Sequence, residues 1–121
     1  MKFTIRKKIE SNNKLLRMHW AVRTREKEDW MNEVMVAMPV GSRGQHREEK
    51  KDVEIVSHRS RRLDKDNLYG GAKQLIDALT YFGLIKDDSP KYCNLTVSQE
   101  LSNNEKTVIT IRKAKELDKE S

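Results

Sequence analysis

The segment from Asp64 to Gly83 constrains the fold more than any other. Leu68, Ala72, Leu75, Ile76, Leu79 and Phe82 recur there at three- and four-residue spacing, and Gly83 follows as a stop. That spacing winds the apolar side chains onto one stripe of a helix, and a one-sided stripe is stable only when another layer covers it. A second amphipathic helix is predicted from roughly Arg23 to Met38, where Trp30, Met31, Val34, Met35 and Met38 recur in the same way before Pro39 and Gly41. Its Trp and Met stripe reads as core, because nothing polar converges on it.

The covering layer is a sheet. Lys2–Glu10 puts Phe3, Ile5 and Ile9 on one face, with Lys7 breaking the alternation, and is predicted to be a strand that Ser11-Asn12-Asn13 ends. Val53, Ile55 and Val56 give a short strand running into Arg59, Arg61 and Arg62. Cys93, Leu95, Val97 and Leu101 alternate as a third strand and Thr107–Ile111 forms a fourth, with Ser102-Asn103-Asn104-Glu105 joining the two as a hairpin. The segment 41–51 (GSRGQHREEKK) has no apolar residue and is expected to be a mobile loop offering charge to a partner. The expected fold is α+β: a mixed sheet of about four strands with two main helices, in the order β-α-β-α-β-β. Residues 1–112 form one domain, and 113–121 form a charged tail expected to fray.

Of the 121 residues, 36% are apolar and another 36% charged, so the core is small and its burial can be completed at an interface between copies. The longest apolar stretches span only a few residues, such as Leu84-Ile85, and no apolar run follows the first basic residues. Neither a membrane-spanning helix nor a secretory signal is expected, and no membrane partner. The net charge is +6, and residues 1–25 hold eight basic side chains against Glu10 alone, which leaves the remainder near neutrality. A positive surface at one end of the chain favours a polyanion, and without a basic amphipathic helix that polyanion is nucleic acid. Cys93 is the only cysteine, so there is no intrachain disulfide and no cysteine-based zinc site, nor any sign of an oxidising compartment. His19, His46 and His58 are scattered. A bound metal would have to be held by carboxylates, which selects Mg²⁺ or Mn²⁺.

The carboxylates worth weighing lie in Arg59-Ser-Arg-Arg-Leu-Asp64-Lys-Asp66-Asn67 and in Lys86-Asp87-Asp88. In extended chain, Asp64 and Asp66 project to one side and can share a cation, and Asp88 joins them only if the chain folds back after the helix. A calcium loop is excluded because Leu68 and Tyr69 occupy the positions that need an oxygen ligand and a glycine. Nucleotide-sugar transferases and haloacid-type phosphatases need a larger α/β domain. A plain structural reading also stands: Asp66 or Asn67 caps the helix and Asp87-Asp88 makes a turn. Two adjacent glycines, Gly70-Gly71, favour a loop or a close backbone approach over plain helix.

The run Asp64-Lys-Asp66-Asn67-Leu68, then Lys73, Asp77-Ala78-Leu79, Gly83 and Asp87-Asp88, resembles the signature of RusA-type Holliday junction resolvases, in which DxDN, Lys, DAL, G and DD recur in that order. Ser11-Asn12-Asn13 resembles the family's N-terminal SNN, so the similarity spans nearly the whole chain. Tyr69-Gly70-Gly71 lengthen the stretch before Lys73, and in a helix the added turn still leaves Lys73 on the azimuth of Asp66, about 10 Å along the axis.

The resemblance implies a small homodimeric, Mg²⁺-dependent endonuclease of the cytoplasm, bacterial or phage-encoded, that cuts four-way DNA junctions in recombination and repair. It implies Asp64, Asp66 and Asp88 as metal ligands and Lys73 as the catalytic cation, with Asn67 and Asp87 supporting them. Lys14, Arg17, Arg23, Arg59, Arg61, Arg62 and Lys65 are the side chains assigned to phosphates, and each reads equally well as solvated surface charge. Two other functions remain open: a broader branched-DNA or flap nuclease, and a non-catalytic nucleic-acid-binding protein that keeps the fold and uses the acids as caps.

Overall fold

The computed structural model describes residues 1–44 and 49–114. Its elements in chain order are β1 (Lys2–Ile5), α1 (Asn12–Arg17), α2 (Trp20–Ala37), β2 (Lys51–Arg59), α3 (Lys65–Gly71), α4 (Lys73–Tyr81), β3 (Cys93–Leu101) and β4 (Lys106–Lys113). They make an α+β domain around one mixed four-stranded sheet of order β1-β4-β2-β3. Strand β2 pairs antiparallel with β4 and parallel with β3, and β1 pairs antiparallel with β4.

One sheet face supplies the floor of the core. Phe3, Ile5, Val53, Ile55, Ile109 and Ile111 are buried at alternate positions, and Ile109 sits in register with both Phe3 and Ile55. The helices supply Trp30 and Val34 from α2 and Leu75, Ile76, Ala78 and Leu79 from α4, with Leu84 and Ile85 following the α4 stop. The stripe that opened the sequence argument is therefore the main helical contribution to the core. On the other side of β2, Asp52, Glu54, Val56 and His58 are partly or wholly exposed, as alternation requires of a sheet covered on one face.

Several elements differ from the sequence expectation. Strand β1 ends at Ile5, because its last partner is Thr107 and β4 begins only one residue earlier. Beyond that point Ile9 is still fully buried, and the Thr107 hydroxyl donates to the Lys7 carbonyl at 2.6 Å in place of a ladder bond. Lys7, which breaks the alternation, pairs with Glu26 at 2.9 Å and lies over the Trp30 ring at 5.3 Å, fastening the chain after β1 to α2. Ser11-Asn12-Asn13 does not merely end a strand: Ser11 Oγ accepts from Lys14 N–H at 3.1 Å and starts α1. Helix α2 begins at Trp20, with His19 Nδ1 accepting from Ala21 N–H. Met35 of its predicted stripe is exposed.

The predicted 102–105 hairpin is absent, because β2 lies between β3 and β4. The chain crosses the end of β2 there, and Ser102 N–H donates to the Arg59 carbonyl at 2.8 Å. Of the loop expected over 41–51, Lys51 opens β2, Gly44 N–H donates to the Phe82 carbonyl, and residues 45–48, including His46, lie outside the described residues. Of the tail expected to fray, Lys113 closes β4 and Ala114 N–H bonds the Lys50 carbonyl, while residues 115–121 lie outside the described residues. No helix among the described residues is long and apolar enough to cross a membrane.

Cys93 opens β3 with its thiol buried, and burial, aided by Asp88 and Asp52, pushes its pKa up to about 11. The thiolate is the reactive form, so alkylation at pH 8 should be at least about a hundredfold slower in the folded protein than in the unfolded chain. An acid held neutral by folding loses stability as pH rises above the unfolded pKa. Cys93 should therefore subtract stability progressively above about pH 9 and leave it unchanged below; timed alkylation and denaturant midpoints at several pH values check both.

Candidate functional site

Helix α3 begins where β2 has ended and the chain has turned at Ser60–Leu63. Asp64 is its cap: Asp64 Oδ1 accepts from Asn67 N–H at 2.8 Å, so the cap is neither Asp66 nor Asn67. The Asn67 side chain completes a small network. Its Nδ2 donates to Asp64 Oδ2 at 3.0 Å, and its Oδ1 accepts from Asn13 N–H, in the first turn of α1, at 2.9 Å. Both oxygens of Asp64 are thereby oriented by Asn67, and Asn67 is itself held by the Ser11-Asn12-Asn13 segment. Asp66, in the first turn of α3, is exposed.

Gly70 and Gly71 explain how α1 comes so close. A Cβ added to Gly71 would overlap the Glu10 carbonyl oxygen, and one added to Gly70 would lie 2.6 Å from Asn12 Cγ. Both glycines are helical, so their role is the close approach and not a special turn. Ala72, with φ −80° and ψ −8°, marks the break between α3 and α4, and its N–H is shared between the Leu68 and Tyr69 carbonyls.

Lys73 opens α4. Its ammonium lies 3.1 Å from Asp77 Oδ1 and 3.1 Å from Asp88 Oδ2. The chain therefore folds back after α4, through Gly83 at φ +70°, and returns Asp88 to the start of the helix. Asp88 first and then Asp77, as hydrogen-bond acceptors, raise the Lys73 pKa and keep it protonated. All three side chains are about half exposed, so these pairs are weak and exchangeable. Hydrogen bonds from the Ser89 side chain and then from the Ser89 N–H, the latter at 2.7 Å, lower the Asp87 pKa and fix the turn before β3.

Mg²⁺ or Mn²⁺ would find the right donor type in Asp64, Asp66 and Asp88, which are hard carboxylate oxygens. In this arrangement the three carboxylates are not drawn to one point. Among the described residues no three His, Cys, Asp or Glu side chains are grouped to hold such an ion; Asp88 faces Lys73 and Asp64 is bonded twice to Asn67.

The basic residues divide. Arg59 is only 5% exposed, and its guanidinium donates to the Ile9 carbonyl at 2.7 Å and the Arg61 carbonyl at 2.6 Å. Burial lowers its pKa, yet a guanidinium stays charged, so these bonds join the end of β2 to the chain after β1. That removes Arg59 from the side chains free to meet phosphate. Lys14 is paired with Glu10 at 2.5 Å, which raises its pKa through the hydrogen bond. Arg17, Arg23, Arg61, Arg62 and Lys65 are exposed. A hollow of about 490 Å³ between the β1–α1 connection and the end of β2 is lined by Lys8, Lys14 and Arg61, with Glu10 and Glu105 among them. Sequence reasoning missed Asn13 as a partner of Asn67; the signal available was the pair of motifs, SNN and DxDN, each rich in side chains that bond backbone.

No protein-family model matches the chain, and no curated protein matches it significantly.

Three substitutions test this anatomy. Gly71→Ala in a free-standing helix should stabilise by about 1 kcal/mol; against the Glu10 carbonyl it should instead cost about 1–3 kcal/mol, read as a lower denaturant midpoint. Arg59→Ala should cost about 2–4 kcal/mol by stranding buried carbonyls, whereas Arg61→Ala should change stability by less than about 0.5 kcal/mol. Parallel urea titrations of the two variants separate the internal arginine from the surface one.

Proposed function

We propose that the chain is a structure-specific endodeoxyribonuclease of the RusA type, acting on four-way DNA junctions in recombination and repair. One observation carries the reading. The residues that bear the resemblance lie in distant parts of the sequence, yet they contact each other: SNN joins DxDN through Asn13 and Asn67, and Lys73 reaches the second residue of Asp87-Asp88. Neither contact is required by a cap or a turn within its own segment.

In this proposal Arg17, Arg61, Arg62 and Lys65 hold the phosphate backbone and set the register of the DNA. Asn67 holds the Asp64 carboxylate in one orientation. Lys73 stabilises the charge that develops on the phosphate under attack, and to do so it exchanges its weak pairing with Asp88 and Asp77 for the phosphate oxygens. Mg²⁺ belongs to the proposal through the resemblance, as does a homodimer, which would offer one site to each of the two equivalent junction strands. A non-catalytic DNA-binding protein is the second reading, and one contact favours it: the Lys73 ammonium already neutralises Asp88 and Asp77.

Incubation of a labelled four-way junction with purified protein decides between them. Cleavage is expected with Mg²⁺ and none in EDTA, with binding retained in both. Asp66→Asn and Lys73→Ala should each lower single-turnover cleavage by about a hundredfold or more and leave junction affinity within about threefold. Binding without cleavage in Mg²⁺ and in Mn²⁺ would establish the non-catalytic reading, and equal cutting of flaps and junctions would broaden the nuclease.

A further inference from the structure

We infer that Trp20 is a stacking platform for an unpaired DNA base, with Arg23 and Lys27 following it along one stripe of α2 at the edge of the candidate site. The inference rests on the nucleic-acid reading above and adds to it the part of the DNA that this surface takes.

The two tryptophans are used in opposite ways. Trp30 is 1% exposed and fills the core, whereas Trp20, at the start of α2, is 68% exposed. The exposed indole presents a flat aromatic face on which a planar ring can stack. Trp20, Arg23, Thr24 and Lys27 follow the i, i+3, i+4, i+7 rule and so form one stripe of α2. With Gln74 of α4 they line an open hollow of about 280 Å³. Gln74 Nε2 donates to the Arg23 carbonyl at 3.3 Å, which ties this stripe to the first turn of α4, where Lys73 stands one residue away. The His19 ring lies 5.5 Å from the indole at a 35° tilt and braces it on one side.

Charge selects the occupant. No carboxylate lines the hollow, and among the described residues neither Arg23 nor Lys27 forms an ion pair, unlike Lys7, Lys14, Lys51 and Lys73. An apolar peptide laid on Trp20 would cover two cations without a partner, which is unfavourable. A nucleotide satisfies both needs at once, its base on the indole and its phosphates on Arg23 and Lys27. In a duplex both faces of a base are already stacked on neighbours. Only an unpaired or splayed base, as at a branch point or in a single strand, can use the platform.

Fluorescence titration in EDTA tests this without cleavage. Oligothymidylate should quench the exposed tryptophan of the wild-type protein, and Trp20→Ala should lose the quenching and about tenfold or more in affinity. Trp20→Phe should keep affinity within about threefold, and binding of a blunt duplex should change less than threefold in either variant. Undiminished affinity of Trp20→Ala for oligothymidylate, or an equal loss on blunt duplex, overturns the platform and leaves the nuclease reading intact. Binding that depends on Trp20, in a protein that cleaves no junction, supports the platform and defeats the nuclease. Failure of the wild-type protein to bind either DNA overturns both.

Discussion

The parallel pairing of β2 with β3 is the constraint from which the rest of the structure follows. Parallel neighbours cannot be joined by a tight turn, so residues 60–92 must return the chain from the end of β2 to the level of its start, where Cys93 pairs with Lys51. Helices α3 and α4 fill that return, and they cover the apolar face of the sheet with Leu68, Leu75, Ile76 and Leu79. The same requirement places Asp64 where the chain leaves β2 and Asp87-Asp88 just before β3 begins. It also leaves the other flank of β2 open for β4, which the chain reaches only by crossing the end of β2 at Ser102.

Around that crossover the candidate site is held by polar bonds at its rim, with little apolar packing of its own. Helix α1 is a short segment whose place depends on Leu15, on the Asn13–Asn67 bond and on two glycines that let the Glu10 carbonyl approach. Asn67 fixes one carboxylate firmly, with bonds to both oxygens. Lys73 holds two others loosely, because ammonium–carboxylate pairs half in water are worth little. The contrast suits a surface that keeps its backbone fixed and exchanges its ionic partners when a polyanion arrives.

Positive charge has two separate uses. Arg59 is internal mortar: it joins β2 to the chain after β1 by donating to carbonyls that no strand pairs. Lys7 does similar work beside Trp30 and Glu26. The net +6 charge of the sequence therefore counts cations, Arg59 and Lys7 among them, that are engaged within the protein, and the exposed ones of the N-terminal region and the Arg59 cluster are Lys2, Arg6 and those on α1, α2 and the turn into α3.

Periodicity alone determined the core stripe of α4, the stripe of α2 around Trp30 and Val34, and the existence of four strands, because burial on one face writes a period into the residues that form it. Composition determined that the core would be small and that carboxylates were the only candidate metal donors. The placement of the acids singled out Asp64, Asp66 and Asp88, the resemblance added Lys73, and the cost of glycine in a helix pointed to a loop or a close approach at Gly70-Gly71. Tertiary structure alone decided the rest. The strand order put β2 between β3 and β4 and removed the expected hairpin, since alternation marks a strand but not its neighbour. Arg59 and Arg61 are one residue type two positions apart, and only the path of the chain after β1 buried the first and exposed the second. Asn13 met Asn67, and Asp88 met Lys73 and not the other two acids, because those contacts depend on how distant segments dock, and no spacing within a single segment encodes that distance.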